Sequence, residues 1–250
     1  MAKKPTPRLA YVLLPKHALP TTAALRKALK EFPELEKAEF AVSEDDQSVT
    51  LRIGATDAMA VLLPMPVPNG EADSHTDHSL SGVDGSWSLP EHRAHLVVAE
   101  GGEKGSLDNL IVFTRLVAVL TRACNAVGVY WGEAKATHHP EFVIDMAKSE
   151  LPLPVWVGLS FAGTKKGFEV LSLGMHQLAL PDLLLKTPSV SGGEFEFFYD
   201  LLAYVARRGK KLPDGDSVGR DDSEKLKVKY VKSPIDPKTE VWSVTLPGAK

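Results

Sequence analysis

The segment SLDNLIVFTRLVAVLTRACNA, residues 106–126, constrains the fold more than any other part of the chain. Its apolar side chains surround most of the circumference of a helix, and such a helix is stable only when other elements cover it on several sides. Ser106 is placed to cap its N-terminus. The most apolar part, LIVFTRLVAVL, contains Arg115 and is shorter than a membrane span. The segment therefore predicts a central helix of a globular core.

Strand-like segments lie on both sides of this helix in the sequence. LAYVLLP and HLVVAEGG are short apolar runs typical of buried strands, and residues 38–54 indicate a hairpin. Because the pairing signals are hairpin-like and not repeated βαβ units, we predict an α+β fold with mixed, mostly antiparallel sheets and helices packed on them. We expect two consecutive α/β halves, residues 1–150 and 151–250, packed together as one unit.

Three further segments complete this prediction. Residues 69–90 are rich in Gly, Ser, Asp and His and predict a long polar loop or mobile flap in the first half. In the second half, LPLPVWVGLSFAG predicts a strand after two prolines, and KLKVKYVKS alternates as one strand. SGGEFEFFYDLLAYVARRG predicts a helix that begins with a capping box of Ser191 and Glu194 and ends at Gly209.

Charge and cysteine content exclude several classes of protein. The formal net charge is -3 with 24% charged residues, so no basic face is indicated and nucleic acid is not the expected partner. Cys124 is the single cysteine, which excludes an intramolecular disulfide and a multi-cysteine zinc site. No signal-peptide pattern and no membrane-length apolar run occurs. These features predict a cytoplasmic protein that is not bound to a membrane and carries no cofactor.

The stretch LPDGDSVGRDDSEK, residues 212–225, invites comparison with a calcium loop. Asp214, Asp216 and Gly219 fit positions one, three and six of an EF-hand. Val218 offers no side-chain oxygen at position five, and Lys225 stands where a bidentate glutamate is required. We therefore interpret the stretch as a turn that leads into the next strand.

Histidine spacing offers a possible metal site. His75 and His78 lie in the polar loop, and His92 and His95 precede or begin a strand. Two such pairs could form a zinc or nickel site, but residues three apart point to opposite faces of a strand. We expect solvated loop histidines, with His95 as a buried hydrogen-bonding residue; a metal site using His92 and His95 is the alternative.

Nucleophiles with an activating environment are not evident. GLSFAG has Ala162 where a nucleophile elbow requires its last glycine, and it lies in a predicted strand. Cys124 falls on an apolar helix, where a thiol is usually inert. GGEKGSL lacks both the Walker spacing and the dinucleotide fingerprint. No catalytic residue is therefore assigned.

A tentative binding set comes from alternate positions in VYWGEAK. Trp131 and Glu133 would share one face of a strand, where an exposed tryptophan beside a carboxylate suits recognition; the alternative is a Trp131 that covers the core. His95, Asp214 and Asp216 complete the set. Glu133, His95 and Asp216 could act together as an acid/base group only if the two halves meet face to face.

Several local patterns occur in a characteristic order. They are LLPMPVPNGE, HRAHLVVA, GVYWGEA, LPLPVWVGL, LGMHQLALPDL and LPDGDSVGRDDSEKLKV, with an LLAYVARRGKKL helix before the last. Together, over residues 9–246, they resemble the bacterial domain-of-unknown-function family 4261. Asp182 supplies the acid that commonly follows the LP of the second hairpin, and Ser217 stands where the family typically has threonine. The resemblance implies an association with secreted-toxin loci, in which small proteins serve as immunity factors.

Three functions are consistent with these features. The first is a non-enzymatic protein-binding protein, in particular an immunity protein that holds a secreted bacterial toxin inactive; acidic segments, including Glu44–Asp45–Asp46 and residues 214–224, would suit a basic partner. The second is a metal-dependent or acid/base hydrolase that uses His92, His95, Glu133 and Asp216 between the halves. The third is a structural module of a secretion assembly.

Overall fold

Two large β-sheets, one two-stranded sheet and five α-helices form the fold in the computed structural model, which describes residues 8–43, 45, 47–54, 56–82, 85–101 and 106–249. The helices are α1 (Thr22–Leu29), α2 (Leu107–Ala123), α3 (Pro140–Ala147), α4 (Leu153–Trp156) and α5 (Gly192–Arg208). The first seven strands are β1 (Arg8–Leu14), β2 (Glu39–Val42), β3 (Ser48–Ile53), β4 (Thr56–Leu63), β5 (Ala94–Glu100), β6 (Gly128–Trp131) and β7 (Ala136–His138). The others are β8 (Gly158–Thr164), β9 (Gly167–Leu173), β10 (Leu183–Thr187), β11 (Ser217–Val218), β12 (Leu226–Lys227), β13 (Lys229–Lys232) and β14 (Glu240–Thr245).

The first sheet contains seven strands in the order β2-β3-β4-β5-β1-β6-β7, and all neighbouring pairs are antiparallel. Alternate residues of its strands are buried, as a period of two requires. Helix α2 contacts α1 and α3 as well as β1 and β4. The opposite face of β1 and β6 is covered by Val67 and, from the polar segment, by Ala72 and Leu89.

Helix α2 confirms the central helix that the sequence predicts. The Ser106 hydroxyl accepts the N–H of Asn109 at 3.3 Å, and ten of the 17 helix residues are buried. Burial also raises the pKa of the Cys124 thiol to about 12, so the thiol stays protonated near neutral pH. Helix α2 and its C-terminal cysteine therefore belong to the core.

The second sheet contains five strands in the order β13-β14-β10-β9-β8, of which β10 and β14 are parallel. Helix α5 packs against β10 and begins with the predicted capping box of Ser191 and Glu194. Gly209 ends the helix at φ +63°, a conformation that glycine adopts without steric cost. The α+β prediction with antiparallel and mixed sheets is thus confirmed.

Two strand predictions in the second half are wrong in detail. Residues Leu153–Trp156 form the short helix α4 before β8, with Pro154 in its first turn, where the missing proline N–H costs nothing. The strand predicted near residues 225–233 breaks into β12 and β13 at Val228. This fully buried residue exchanges hydrogen bonds with Gly215 and Asp216 instead of continuing one ladder.

Both halves contribute to one buried apolar cluster. Leu116 of α2, Trp156 of α4 and Leu202 of α5 belong to it, and the Trp156 indole donates to the Thr114 hydroxyl at 2.6 Å. The separation into halves 1–150 and 151–250 stays a prediction. Among the helices of the described ranges, none combines the length and apolarity needed to cross a bilayer.

Two glycines allow the halves to approach closely. A Cβ on Gly158 would lie 2.1 Å from the carbonyl oxygen of Ala134. Gly174 has φ +126°, and a Cβ there would lie 2.2 Å from the carbonyl oxygen of Trp156 and, across the junction, 3.3 Å from the Cα of Ala134. Real Cβ atoms do not reach such distances, so only glycine fits at either position.

Candidate functional site

Trp131 is a core residue and not part of an exposed face. Its side chain has 0% exposure and packs edge-on against Phe113, with ring centroids 5.5 Å apart. The indole N–H donates to the side-chain oxygen of Gln177 at 2.8 Å. The prediction that Trp131 contacts a partner is therefore wrong, because β6 ends at this residue and turns its side chain into the interior.

Glu133 bridges the two halves. It lies in the 3-10 turn Gly132–Ala134, and its carboxylate pairs with the imidazole of His176 in the turn Met175–Leu178. The two turns end at Lys135 (φ 48°) and Ala179 (φ 57°), both left-handed without being glycine. Such strain persists only where surrounding structure enforces it, and it is often found at functional sites.

A pair of tyrosines lies beside this carboxylate. The rings of Tyr11 and Tyr130 are 5.5 Å apart, and the Tyr130 hydroxyl donates to Glu71 at 2.7 Å. Burial raises the pKa of Tyr11, and the carboxylates of Glu71 and Glu133 raise it further. Burial also raises the pKa of Tyr130. Both phenols therefore stay protonated near neutral pH.

His92 and His95 both bind the backbone between β4 and the polar segment. His92 accepts the N–H of Val67 at 3.1 Å through Nε2, and Nδ1 of His95 bonds the carbonyl of Met65 at 2.8 Å. Burial lowers the pKa of both imidazoles, which are 4% and 1% exposed. His95 is thus the buried hydrogen-bonding residue that we predicted.

The alternative metal site at His92 and His95 does not form. His92 lies before β5, so its side chain does not follow the alternation of faces within that strand. For this reason both rings can reach the same stretch of backbone. Across the part of the chain that the structure describes, no group of three or more His, Cys, Asp or Glu side chains could hold a metal ion. Both imidazoles position backbone instead.

The polar segment 69–90 contains no strand or α-helix in its described part, as predicted, but it is tied down there. Thr137 donates to the carbonyl of Ala72 at 2.5 Å, and the Ser79 hydroxyl bonds Nδ1 of His138 at 2.6 Å. His78 bonds the carbonyl of Lys135 at 2.8 Å. These contacts argue against a mobile flap, because each would be lost on opening.

Asp214 and Asp216 stabilise a turn. Asp214 accepts the N–H of Tyr230 at 3.0 Å, and Asp216 accepts the N–H of Ser217 at 2.8 Å. Gly215 occupies φ +81° and donates to the carbonyl of Val228 at 2.9 Å. The two carboxylates thus fulfil the roles that the turn interpretation assigns to them.

The predicted acid/base group is not assembled. Glu133 and His95 both lie near Tyr11, whose ring centroid is 5.8 Å from that of His95. Asp216 lies elsewhere, in the turn before β11 and beside α5. The partner that Glu133 acquires from the second half is His176, a residue that the sequence reasoning did not consider.

A groove of about 690 Å³ separates α5 from the β11 turn. Phe197, Leu201 and Leu212 form its apolar lining. Its acidic residues are Glu194, Glu196, Asp200 and Asp216. Tyr204 stands at its side with 52% exposure. The groove therefore presents apolar surface surrounded by carboxylates.

Two of these carboxylates have no internal partner. Within the described ranges, Glu196 and Asp200 form no side-chain hydrogen bond or ion pair, although they are four residues apart on one helix. Like charges at this spacing destabilise a helix. This unfavourable spacing can be read from the sequence, and it is the signal that could have revealed the groove. The one cation in its lining, Arg220, pairs with Glu224.

The acidic hairpin near residue 45 is described by the structure in part. Asp45 accepts hydrogen bonds from the Ser43 hydroxyl at 2.6 Å and the Gln47 N–H at 3.1 Å. Glu44 and Asp46 lie outside the described residues, as do residues 102–105 of GGEKGSL.

Comparison of the chain with protein-family models, with curated proteins and with solved structures finds no match. The resemblance to the domain-of-unknown-function family 4261 stays a prediction.

Proposed function

We propose that this chain is a non-enzymatic binding protein that holds a basic segment of a partner protein in the groove between α5 and the β11 turn. The observation that carries the proposal is the pair Glu196 and Asp200, two carboxylates without internal partners beside an apolar floor. A lysine or arginine side chain has an apolar stem and a cationic end, so one such residue can use both parts of the groove.

The chemistry of the groove suits protein recognition. Phe197 and Leu201, which are only 4% and 5% exposed, form an apolar floor next to the carboxylates, and Tyr204 is an exposed aromatic residue of the type enriched at binding hot spots. Acidic rims accelerate the encounter with basic partners and select against acidic ones. The surface area of a single groove is smaller than the area that a stable protein–protein interface buries, so neighbouring surface must contribute to binding.

An immunity role follows when the basic partner is a secreted bacterial toxin. A toxin that acts on an anionic substrate, such as a nuclease, needs a basic surface for that substrate. An acidic groove that occupies this surface would exclude the substrate and thereby inactivate the toxin. The proposal rests on charge complementarity together with the association that the family resemblance implies.

Co-purification from the native bacterium at low salt tests the proposal, with mass spectrometry of whatever elutes at equal stoichiometry. We expect one basic protein, lost with the double variant Glu196→Lys/Asp200→Lys. The matched control is Asp77→Lys/Glu91→Lys, which makes the same change in net charge on exposed residues of another surface. Equal capture by both variants, or a captured toxin that stays active, would contradict the proposal.

A second candidate function, acid/base hydrolysis between the halves, is favoured by the Glu133–His176 pair alone. A carboxylate that orients an imidazole is a common arrangement for a general base, and His176 is half exposed. Its test is hydrolysis of chromogenic ester and phosphate substrates by the wild type and by His176→Asn. Turnover that disappears in the variant would support it, and equal rates would end it.

A further inference from the structure

Strand β2 forms one edge of the seven-stranded sheet and pairs only with β3. Ser43 donates to the carbonyl of Ser48 at 2.9 Å, which makes these residues a hydrogen-bonded pair of the antiparallel ladder. Such pairs alternate with non-hydrogen-bonded ones. The register therefore turns the N–H and C=O groups of Phe40 and Val42 away from β3, toward the open edge.

These outward backbone groups have no partner in the rest of the described chain. An edge of this kind is a template for an added strand, and peptide recognition by strand addition uses it. Two residues of the new strand would lie opposite Phe40 and Val42. Their side chains would point to the same face of the sheet as the side chains of Phe40 and Val42. That face is the one packed toward α1, because Phe40 and Val42 contact the core cluster.

A groove of about 1040 Å³ runs between α1 and this edge. Leu29 and Ala38 join the side chains of Phe40 and Val42 in its apolar lining. All four are partly buried against the core. Side chains of an added strand that point toward α1 would enter this groove and replace water on these apolar groups.

Charges on α1 define which side chains fit. Arg26 and Lys30 line the groove, are exposed, and form no hydrogen bond or ion pair within the described ranges. Helix α1 contains no acidic residue, so nothing on the helix itself offsets these cations. Glu36 and Glu39 lie on the other side of the groove, at the beginning of β2. An acidic side chain is therefore complementary to the helix wall.

We propose that the β2 edge and the α1–β2 groove bind an extended segment of a partner protein. The segment adds to the sheet as an eighth strand, and its side chains that point at α1, which are two positions apart, are alternately apolar and acidic. The four residues of β2 set the paired length. This surface selects an acidic ligand, opposite to the groove beside α5, so it is independent of the function proposed above.

Selection from a phage-displayed library of random 12-residue peptides on the immobilised full chain tests this inference. The enriched peptides are then synthesised and their affinities measured by fluorescence polarisation. We expect peptides in which residues two positions apart, on the face toward α1, are alternately apolar and acidic, and protection from hydrogen exchange at the amides of Phe40 and Val42. Enrichment of basic peptides alone, or of none, overturns the inference.

Two variants test different parts of the surface. Val42→Pro removes an outward N–H that β3 does not use, which edge strands tolerate, and we expect binding to weaken by roughly tenfold or more. Arg26→Glu/Lys30→Glu should weaken it by about tenfold and remove its salt dependence. Thermal unfolding confirms that each variant folds; should Val42→Pro fail to fold, the charge variant decides.

The control variant is Glu196→Lys/Asp200→Lys, which changes the groove beside α5 and should leave the affinity of the selected peptides unchanged. Peptides that lose affinity for this control but keep it for Arg26→Glu/Lys30→Glu would place binding at the α5 groove and overturn the inference. That same result would leave the function proposed above standing, so the two failures are distinguishable.

Discussion

The indole N–H of Trp131 donates to the side-chain oxygen of Gln177 across 2.8 Å, from the end of β6 to a turn of the second half. The amide nitrogen of Gln177 in turn donates to the carbonyls of Trp156 and Gly174, at 3.0 Å each. Gln177 is 3% exposed. One buried amide therefore joins three separate segments of backbone and side chain at the junction of the halves.

Replacement of Gln177 by leucine should destabilise the protein strongly. The side chain keeps its approximate size but leaves one buried donor and two buried carbonyls without this partner, so we expect a loss of about 3 kcal/mol in the free energy of unfolding. Urea denaturation measures the loss. Gln47→Leu, in an exposed hairpin turn, is the control and should change stability by less than about 0.5 kcal/mol. Similar values for both variants would contradict the prediction.

The buried ion pair of Arg8 and Glu100 gives a second prediction. The residues are direct neighbours on β1 and β5, 2.8 Å apart, with side chains 3% and 1% exposed. Glu100→Ala removes the carboxylate from a buried ion pair and should cost about 3–5 kcal/mol. Arg8→Met/Glu100→Leu removes both charges and should recover most of that loss, which chemical denaturation would detect. A double variant no more stable than the single one would refute this account.

Stability should fall as the pH is lowered from about 6.5 toward 4, chiefly because of His138. Complete burial lowers its pKa from 6.5 to about 4. Nε2 donates to the carbonyl of Val155 at 3.0 Å, so Nδ1 of the neutral ring accepts from Ser79. In this pH window the unfolded chain binds more protons than the folded one, which removes up to ~3 kcal/mol of stability.

His92 and His95 act in the same direction, since burial lowers the pKa of both. Thermal unfolding measured between pH 4 and 7.5 should show a rising melting temperature that becomes level above about pH 7. His138→Gln should reduce the slope, and His17→Gln, at an exposed position, should not. A flat profile for the wild type would be incompatible with three neutral buried imidazoles.

Calcium should not stabilise the protein through the stretch 212–225. The carboxylates of Asp214 and Asp216 bond backbone N–H groups of Tyr230 and Ser217. We expect no shift in melting temperature with millimolar calcium. Asp214→Ala should lower stability by about 1 kcal/mol, because Tyr230 loses its acceptor. A calcium-dependent shift that disappears in Asp214→Ala would overturn the turn interpretation.

The junction of the halves should reject a methyl group at Gly158. Its Cβ would lie 2.1 Å from the carbonyl oxygen of Ala134, so Gly158→Ala requires backbone movement and should cost roughly 3 kcal/mol or more. Gly163→Ala is the matched control in the same strand, where nothing lies within 4 Å of the added atom. Circular dichroism during heating distinguishes the two, and equal melting temperatures would contradict the packing described.

Patterns that are local in the sequence predicted local structure well. The cap at Ser106, the box of Ser191 and Glu194 and the stop at Gly209 each depend on residues within one helical turn. The helix α4 and the break at Val228 were missed, because both depend on contacts with distant segments. In each case tertiary packing outweighed the local preference.

The site residues divide in the same way. The turn at Asp214 and the buried state of His95 follow from residue types and nearby sequence. The Glu133–His176 pair joins residues 43 positions apart, and no sequence period connects them. Trp131 was misjudged because alternation within GVYWGEA does not reveal that the strand ends at the tryptophan.

The position of β1 inside the first sheet, between β5 and β6, has a consequence for synthesis on the ribosome. Both of its neighbours, β5 and β6, are encoded far downstream, beginning at Ala94 and Gly128. At 5–20 residues per second, about 4–16 s separate the synthesis of Leu14 from that of Ala94. Throughout that interval the nascent chain carries LAYVLL without its pairing partners. A chain that ends before residue 94 would therefore lack both partners of β1 and leave both edges of this apolar strand unpaired, which favours aggregation.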